Sequence, residues 1–188
     1  MSRAPTLRVA SGAWKGRRLD APSSARPTSG RARAALFDIL QKRIPGARLL
    51  ELYAGSGAVG LEALSRGASR AVFVEREAAA LRRNLEHLSP EPGTAELLAE
   101  DAVAAVAQLC RRPERFDLVF ADPPYGAASL EELLGGAAAL LADDGILVVQ
   151  ADASTDVAAD TAGLRLLERR AYGRNVFWLF SRASAVPF

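Results

Sequence analysis

Between Leu49 and Ala63 the chain reads LLELYAGSGAVGLEA, a strand, a glycine loop and a helix with no residues to spare between them. Arg48 to Leu52 is a short apolar run carrying one carboxylate, Glu51; Gly55, Gly57 and Gly60 are spaced as G-x-G-x-x-G; Val59 to Arg66 returns to helix-forming residues. Glycine is needed in such a turn because the backbone must take positive φ and approach a ligand with no Cβ in the way. The helix that follows aims unpaired N–H groups at the same place. A tight turn that binds nothing satisfies the same glycine pattern, so the residues downstream have to decide.

From Arg48 onward strands and helices alternate. Strands are expected near 48–52, 70–75, 94–99, 116–121 and 145–150, and helices near 59–66, 77–88, 102–110 and 129–141. This rhythm predicts an α/β domain with a Rossmann-like, mostly parallel, doubly wound sheet. After Gln150 the alternation stops. Leu164–Arg170 and Asn175–Ser181 read as an antiparallel hairpin joined across Tyr172-Gly173, with Phe177, Trp178 and Phe180 supplying core bulk. At 188 residues a separate substrate domain hardly fits beside this one.

Charge divides the chain into residues 1–43 and 44–188. The first segment holds ten basic residues against Asp20 and Asp38, a net +8, whereas the remainder is −6. A lobe this basic is suited to a polyanion. Thr6–Ala10 and Arg17–Ala21 predict a small hairpin with Trp14 near its tip, which must either pack on the main body or order against a partner. APSSARPTSG follows as loop, and Thr28 or Ser29 can cap a helix from Gly30 to about Lys42 with Ala35, Leu36, Ile39 and Leu40 as its apolar stripe. Arg31 and Arg33 oppose the helix dipole at its start, a placement better suited to facing phosphate than to stability. Trp14 packed inward and arginines that are merely solvated are the plainer alternatives.

Other chemistries are poorly supported. Cys110 and His87 are the sole residues of their kinds, which leaves no disulfide, no cysteine metal cluster and no obvious Ser–His–Asp arrangement. The segment MSRAPTLRVASGAW lacks the apolar stretch of a signal peptide, and Gly135–Ala142 is too short to span a bilayer. A cytoplasmic protein that binds neither metal nor membrane is expected.

In sheets of this type ligands bind beyond the carboxyl ends of the strands. The residues there are Glu51, Glu75, Asp101 and Asp122, all acidic, and a rim of four carboxylates needs donors or a cation to meet it. Each acid alone could be a helix cap. Glu75 lies 20 residues beyond Gly55, the spacing at which an acid reaches ribose hydroxyls in dinucleotide folds, which keeps an NAD site in view. Asp122-Pro123-Pro124-Tyr125 then follows its strand directly. Two prolines stiffen the loop and remove two N–H donors, leaving carbonyls and a carboxylate to receive an amino group, with Tyr125 as a stacking face for a planar base.

ELYAGSGAVGLEA together with ADPPY resembles the class I S-adenosylmethionine-dependent methyltransferases that act on exocyclic amino groups of bases. RVASGAWKGRRL, RPTSGRARAALFDIL, LSRGA and YGRN extend the resemblance over nearly the whole chain, to the RsmD family of 16S rRNA guanine-N2 methyltransferases. The resemblance implies S-adenosylmethionine as cofactor. Glu51 with Ala54, Gly55, Ser56 and Gly57 would hold its methionine part, Glu75 its ribose, and Asp101 and Ala102 its adenine; Asp122 would lie against both cofactor and target. Asp122, Pro123, Pro124 and Tyr125 would be the catalytic set that holds the guanine. Arg8, Trp14, Lys15, Arg17, Arg18, Arg26, Thr28, Arg31 and Arg33 would form the RNA-binding extension. The implied partner is 16S rRNA, in a small ribosomal subunit or its assembly intermediate, met by a monomer. The chain departs from the family pattern at Glu51, where Asp is usual, at Gly30 and Ala34, where Asp and Glu are usual, and at Gln150, often Glu. A DNA adenine-N6 methyltransferase and a non-catalytic RNA-binding assembly factor are the competing readings.

Overall fold

The structure is a computed structural model and describes residues 7–22, 30–124, 130–152, 160–173 and 175–183. Helix α1 (Gly30–Leu40) leads into β1 (Arg48–Leu52), α2 (Ala58–Ser65), β2 (Arg70–Val74), α3 (Ala79–Leu88), β3 (Ala95–Leu98), α4 (Ala102–Leu109), β4 (Phe116–Ala121), α5 (Leu130–Leu140) and β5 (Leu141–Asp152). Strands β6 (Asp160–Thr161), β7 (Leu164–Tyr172) and β8 (Asn175–Arg182) complete it. The eight strands form one sheet in the order β3-β2-β1-β4-β5-β8-β7-β6. Strands β1 to β5 pair in parallel, and β5–β8, β8–β7 and β7–β6 are antiparallel. The expected sheet is therefore present. Strand β5 begins at Leu141 rather than 145, taken up by a register irregularity opposite Phe116 and Leu118.

Alternation along the strands sends apolar side chains to two separate cores. Leu50, Leu52, Val72, Val74, Val119 and Val149 meet α4 and α5 on one face. On the other, Leu49, Leu118, Phe120, Val148 and Phe177 meet α1, whose Leu36 and Phe37 are fully buried. Ala71 and Phe73 continue that second face under α2 and α3. Burying a Leu or Phe side chain contributes ~1.5–3 kcal/mol, so α1 belongs to the body of the fold and the boundary at residue 43 is one of charge rather than of core. Trp178 is buried as expected, and Cys110 is a half-buried filler against the α4–α5 core. Among the described residues no helix is long and apolar enough to cross a membrane.

The N-terminal segment has less regular structure than the sequence suggests and more attachment. In place of two strands there is a single antiparallel bridge, Arg8 to Arg18, closed by Val9 N–H donating to the Arg17 carbonyl. Its packing partners are α2 and α3. Ser65 accepts from Ala13 and Trp14 N–H and donates to Ser11, and a Cβ on Gly12 would stand 1.7 Å from the Ser65 carbonyl, so this contact demands glycine. Asn84, 2% exposed, accepts from Asp20 N–H and donates to the Asp20 and Ser56 carbonyls. Trp14 packs against the core of Phe73 and Leu81, which is the inward alternative. The segment orders against the body itself.

Candidate active site at the carboxyl ends of the strands

Glu51, Glu75, Asp101 and Asp122 do line one rim of the sheet, and each has collected its own donors. Glu51, 3% exposed, accepts from Gly60 N–H at 2.7 Å and Val59 N–H at 3.3 Å. Glu75 accepts from Gly55 N–H at 2.7 Å and Glu77 N–H at 2.8 Å. Asp101 caps α4, accepting from Val103 and Ala104 N–H. Asp122 accepts from the side-chain amide of Gln150 at 3.2 Å. Local backbone N–H groups thus meet three of the four carboxyl groups, and Asp101 has the cap role that its position also allowed.

The loop between β1 and α2 is shaped by what surrounds it. Gly57, at φ 73°, sits at the N-terminus of α2, and a Cβ there would strike Leu81 at 2.4 Å. Gly60 has ordinary φ, yet a Cβ would stand 2.4 Å from the Phe73 ring and 2.9 Å from Glu51 Oε2. Its role is to let the helix close onto the carboxylate. Gly55, at φ 54°, has open space where a Cβ would be. Ala54 and Ser56 are buried beside it.

Burial pushes the Glu51 carboxyl up to about 8; Gly60 and Val59 N–H and the Arg33 charge pull the other way, and the Asp122 charge adds to the rise. A carboxylate buried this deeply with too few donors is suited to a cation brought by a ligand. Asp122 and Pro123 are half-buried and Pro124 exposed at the end of β4. Tyr125 lies outside the described residues, as do Arg26 and Thr28.

The structure adds Tyr53 and Asn175 to this rim and brings Gln150, which the sequence marks only as a departure from the family pattern, against Asp122. Tyr53 adopts φ 57°, a left-handed conformation that costs a non-glycine residue about 1–3 kcal/mol and tends to collect at functional sites. Burial, with the Asp101 charge second, raises its phenol pKa. Gln150 stands beside Asp122, with its Nε2 3.4 Å from Asn175 Oδ1. A polar residue closing an apolar run, as Gln150 closes GILVVQ, is the available signal.

The basic lobe divides in two. Arg8, Lys15, Arg17, Arg18 and Arg31 are exposed. Arg8 and Arg17 donate to the Gly16 and His87 carbonyls, which holds both along the surface. Arg33 does not face phosphate. It is 5% exposed, pairs with the fully buried Glu62 at 3.1 Å and donates to the Arg8 carbonyl. Its position in α1 points it at α2, and Glu62 takes the charge the sequence alone leaves unmatched.

A Rossmann-like sheet closed by an antiparallel strand, with a glycine loop and an acid at each strand end, defines a class I S-adenosylmethionine-dependent methyltransferase. The solved structure of yhhF from Escherichia coli matches with a TM-score of 0.82 at 32% identity, covering 96% of this chain and 99% of that one. Ribosomal RNA small subunit methyltransferase D of Escherichia coli strain K12 is 32% identical over 181 residues, 94% of this chain and 90% of the relative. The family described as Conserved hypothetical protein 95 matches residues 7–181, and the chain belongs to it, the RsmD family. At the level of fold alone, SMU.776 complexed with SAH matches with a TM-score of 0.62 at 14% identity, over 73% of this chain and 46% of that one.

The residues present fit S-adenosylmethionine. The buried, under-neutralised Glu51 suits the methionine ammonium, the open backbone at Gly55 leaves room for close approach, and Glu75 offers ribose acceptors at the end of β2. Membership of the RsmD family, whose curated relative is a methyltransferase by name, sets the dinucleotide reading aside.

Proposed function

We propose that the chain methylates the exocyclic N2 amino group of a guanine in 16S rRNA. The observation that supports it most is the juxtaposition at the end of β4. The stiff Asp122-Pro123-Pro124 segment, which lacks two N–H donors, lies beside Gln150 and within the electrostatic reach of Glu51. Family membership and the name of the Escherichia coli relative support small-subunit rRNA as the substrate class.

Bound S-adenosylmethionine supplies an electrophilic methyl group, which the amino nitrogen takes in one displacement that leaves the thioether. The protein's work is to make that nitrogen a nucleophile. An amino group on guanine is a poor one because its lone pair is delocalised into the ring. Accepting its two N–H bonds at the Asp122 carboxylate and the Pro123 carbonyl favours a pyramidal nitrogen with the lone pair freed. The carboxylate also offsets positive charge developing on nitrogen, whose extra proton then leaves to water. Alignment accounts for up to ~7–11 kcal/mol of the barrier. The base must be unstacked to enter, which is least costly in a loop or bulge. Tyr125 stacks on it there.

Arg8, Lys15, Arg17, Arg18 and Arg31, with the outer face of Trp14 and with Arg26 and Thr28, contact the RNA backbone, while a monomer meets the rRNA in the small subunit or its assembly intermediate. Asp122→Ala tests the site: turnover is lost and S-adenosylhomocysteine still raises the melting temperature as in the parent protein. Wild-type methylation by this variant would contradict the assignment.

A further inference from the structure

Gln150 carries a polar atom without a match. The residue is 5% exposed, and its Oε1 is buried with no hydrogen-bond partner. Its orientation is fixed by chemistry: Nε2 faces the Asp122 carboxylate at 3.2 Å and Asn175 Oδ1 at 3.4 Å, and a carboxylate accepts only. The backbone puts it there. Ala121, the last residue of β4, pairs with Val149, so Asp122 comes level with Gln150, and Gln150 is opposite Phe177 on β8. The residue held against the amino-group receiver therefore carries one further acceptor, buried and unpaired.

That arrangement distinguishes bases. Guanine carries its amino group next to a ring N–H, the N1 position, so its edge offers two adjacent donors. Adenine and cytosine carry theirs next to a ring nitrogen that accepts. We propose that Gln150 Oε1 accepts the guanine N1–H while Asp122 accepts from N2, making Gln150 the residue that selects guanine over other amino-bearing bases. This deepens the guanine reading above and rests on it. An adenine placed with its amino group on Asp122 sets a lone pair against Oε1, and the buried acceptor stays unmatched. Gln150 also steadies Asp122 through Nε2, but that role is blind to base identity, which separates the two effects experimentally.

The test uses 2-aminopurine, which keeps the 2-amino group of guanine and replaces N1–H by an accepting nitrogen. Small-subunit rRNA is assembled from ligated pieces with guanosine or 2-aminopurine riboside at the methylated position, and kcat/KM is measured on both with the full chain. The parent protein prefers guanine by roughly 10–100-fold, the scale of one buried hydrogen bond unmade. Gln150→Leu slows both substrates and brings the ratio close to one. An unchanged thermal shift with S-adenosylhomocysteine shows that the variant is folded. A parent protein that uses 2-aminopurine as well as guanine overturns the inference, as does a Gln150→Leu ratio equal to the parent's. No transfer to the guanine substrate by the parent protein overturns the guanine reading itself, and this inference with it.

Discussion

Arg33 and Glu62 form a buried ion pair, Nε to Oε2 at 3.1 Å, that fastens α1 to α2 beneath the N-terminal segment. Glu62 also accepts from Arg66 and from Ala10 N–H, and Arg66 lies 4.5 Å over the Phe37 ring. One fully buried carboxylate thus collects charge and N–H donors from three parts of the chain, which is how a +8 lobe is anchored to a body of opposite charge.

Arginines that look equivalent in sequence should consequently fail in different ways. Arg33→Met strands part of the Glu62 charge and costs about 3 kcal/mol of stability, read by urea denaturation. Neutralising Arg17, Arg18 and Arg31 leaves stability within about 0.5 kcal/mol and lowers the salt slope of RNA binding by about 0.7–0.9 for each phosphate no longer neutralised. A slope that does not change in the triple variant would show that this lobe does not touch phosphate.

Glu51 should make cofactor binding depend on pH. Its carboxyl is raised from 4.5 to about 8 chiefly by burial, so the stability that goes with its protonated form is complete below about pH 4.5 and is lost as pH rises through about 8. An ammonium group bound there favours the ionised form. Affinity for S-adenosylmethionine should rise from pH 6 to 8 with release of a proton, seen by calorimetry in buffers of different ionisation enthalpy. Glu51→Gln should remove both the pH dependence and the proton release.

Two glycines in the loop separate sterics from backbone strain. Gly60→Ala puts a Cβ against Phe73 and Glu51 and should cost about 1–3 kcal/mol while weakening cofactor binding. Gly55→Ala meets no atom but must hold φ 54°, a cost of about 1–2 kcal/mol. Melting curves with and without S-adenosylhomocysteine compare them; equal ligand shifts in both variants would deny Gly60 its part in positioning Glu51.

The strand-end acids and the glycine loop are legible in the sequence because strand periodicity fixes which residues reach the rim. Gly60 is harder to value: its backbone is ordinary, and only the packing of Phe73 against Glu51 reveals why no Cβ is tolerated. Arg33 misleads because an arginine at a helix start looks alike whether it meets solvent or, as here, a buried partner in the next helix, Glu62. Gln150 meets Asp122 and Asn175 only through the β4–β5–β8 pairing, parallel between β4 and β5 and antiparallel between β5 and β8, a long-range arrangement that no local pattern encodes.

Mapping the product tests methyl transfer to guanine N2 most directly. Small-subunit rRNA from cells lacking the gene is incubated, naked or in subunits, with the purified chain and labelled S-adenosylmethionine, then digested and read by mass spectrometry. The result expected is N2-methylguanosine at a single position, absent with Asp122→Ala. Label recovered as N6-methyladenine, in DNA in place of rRNA, or nowhere would contradict it.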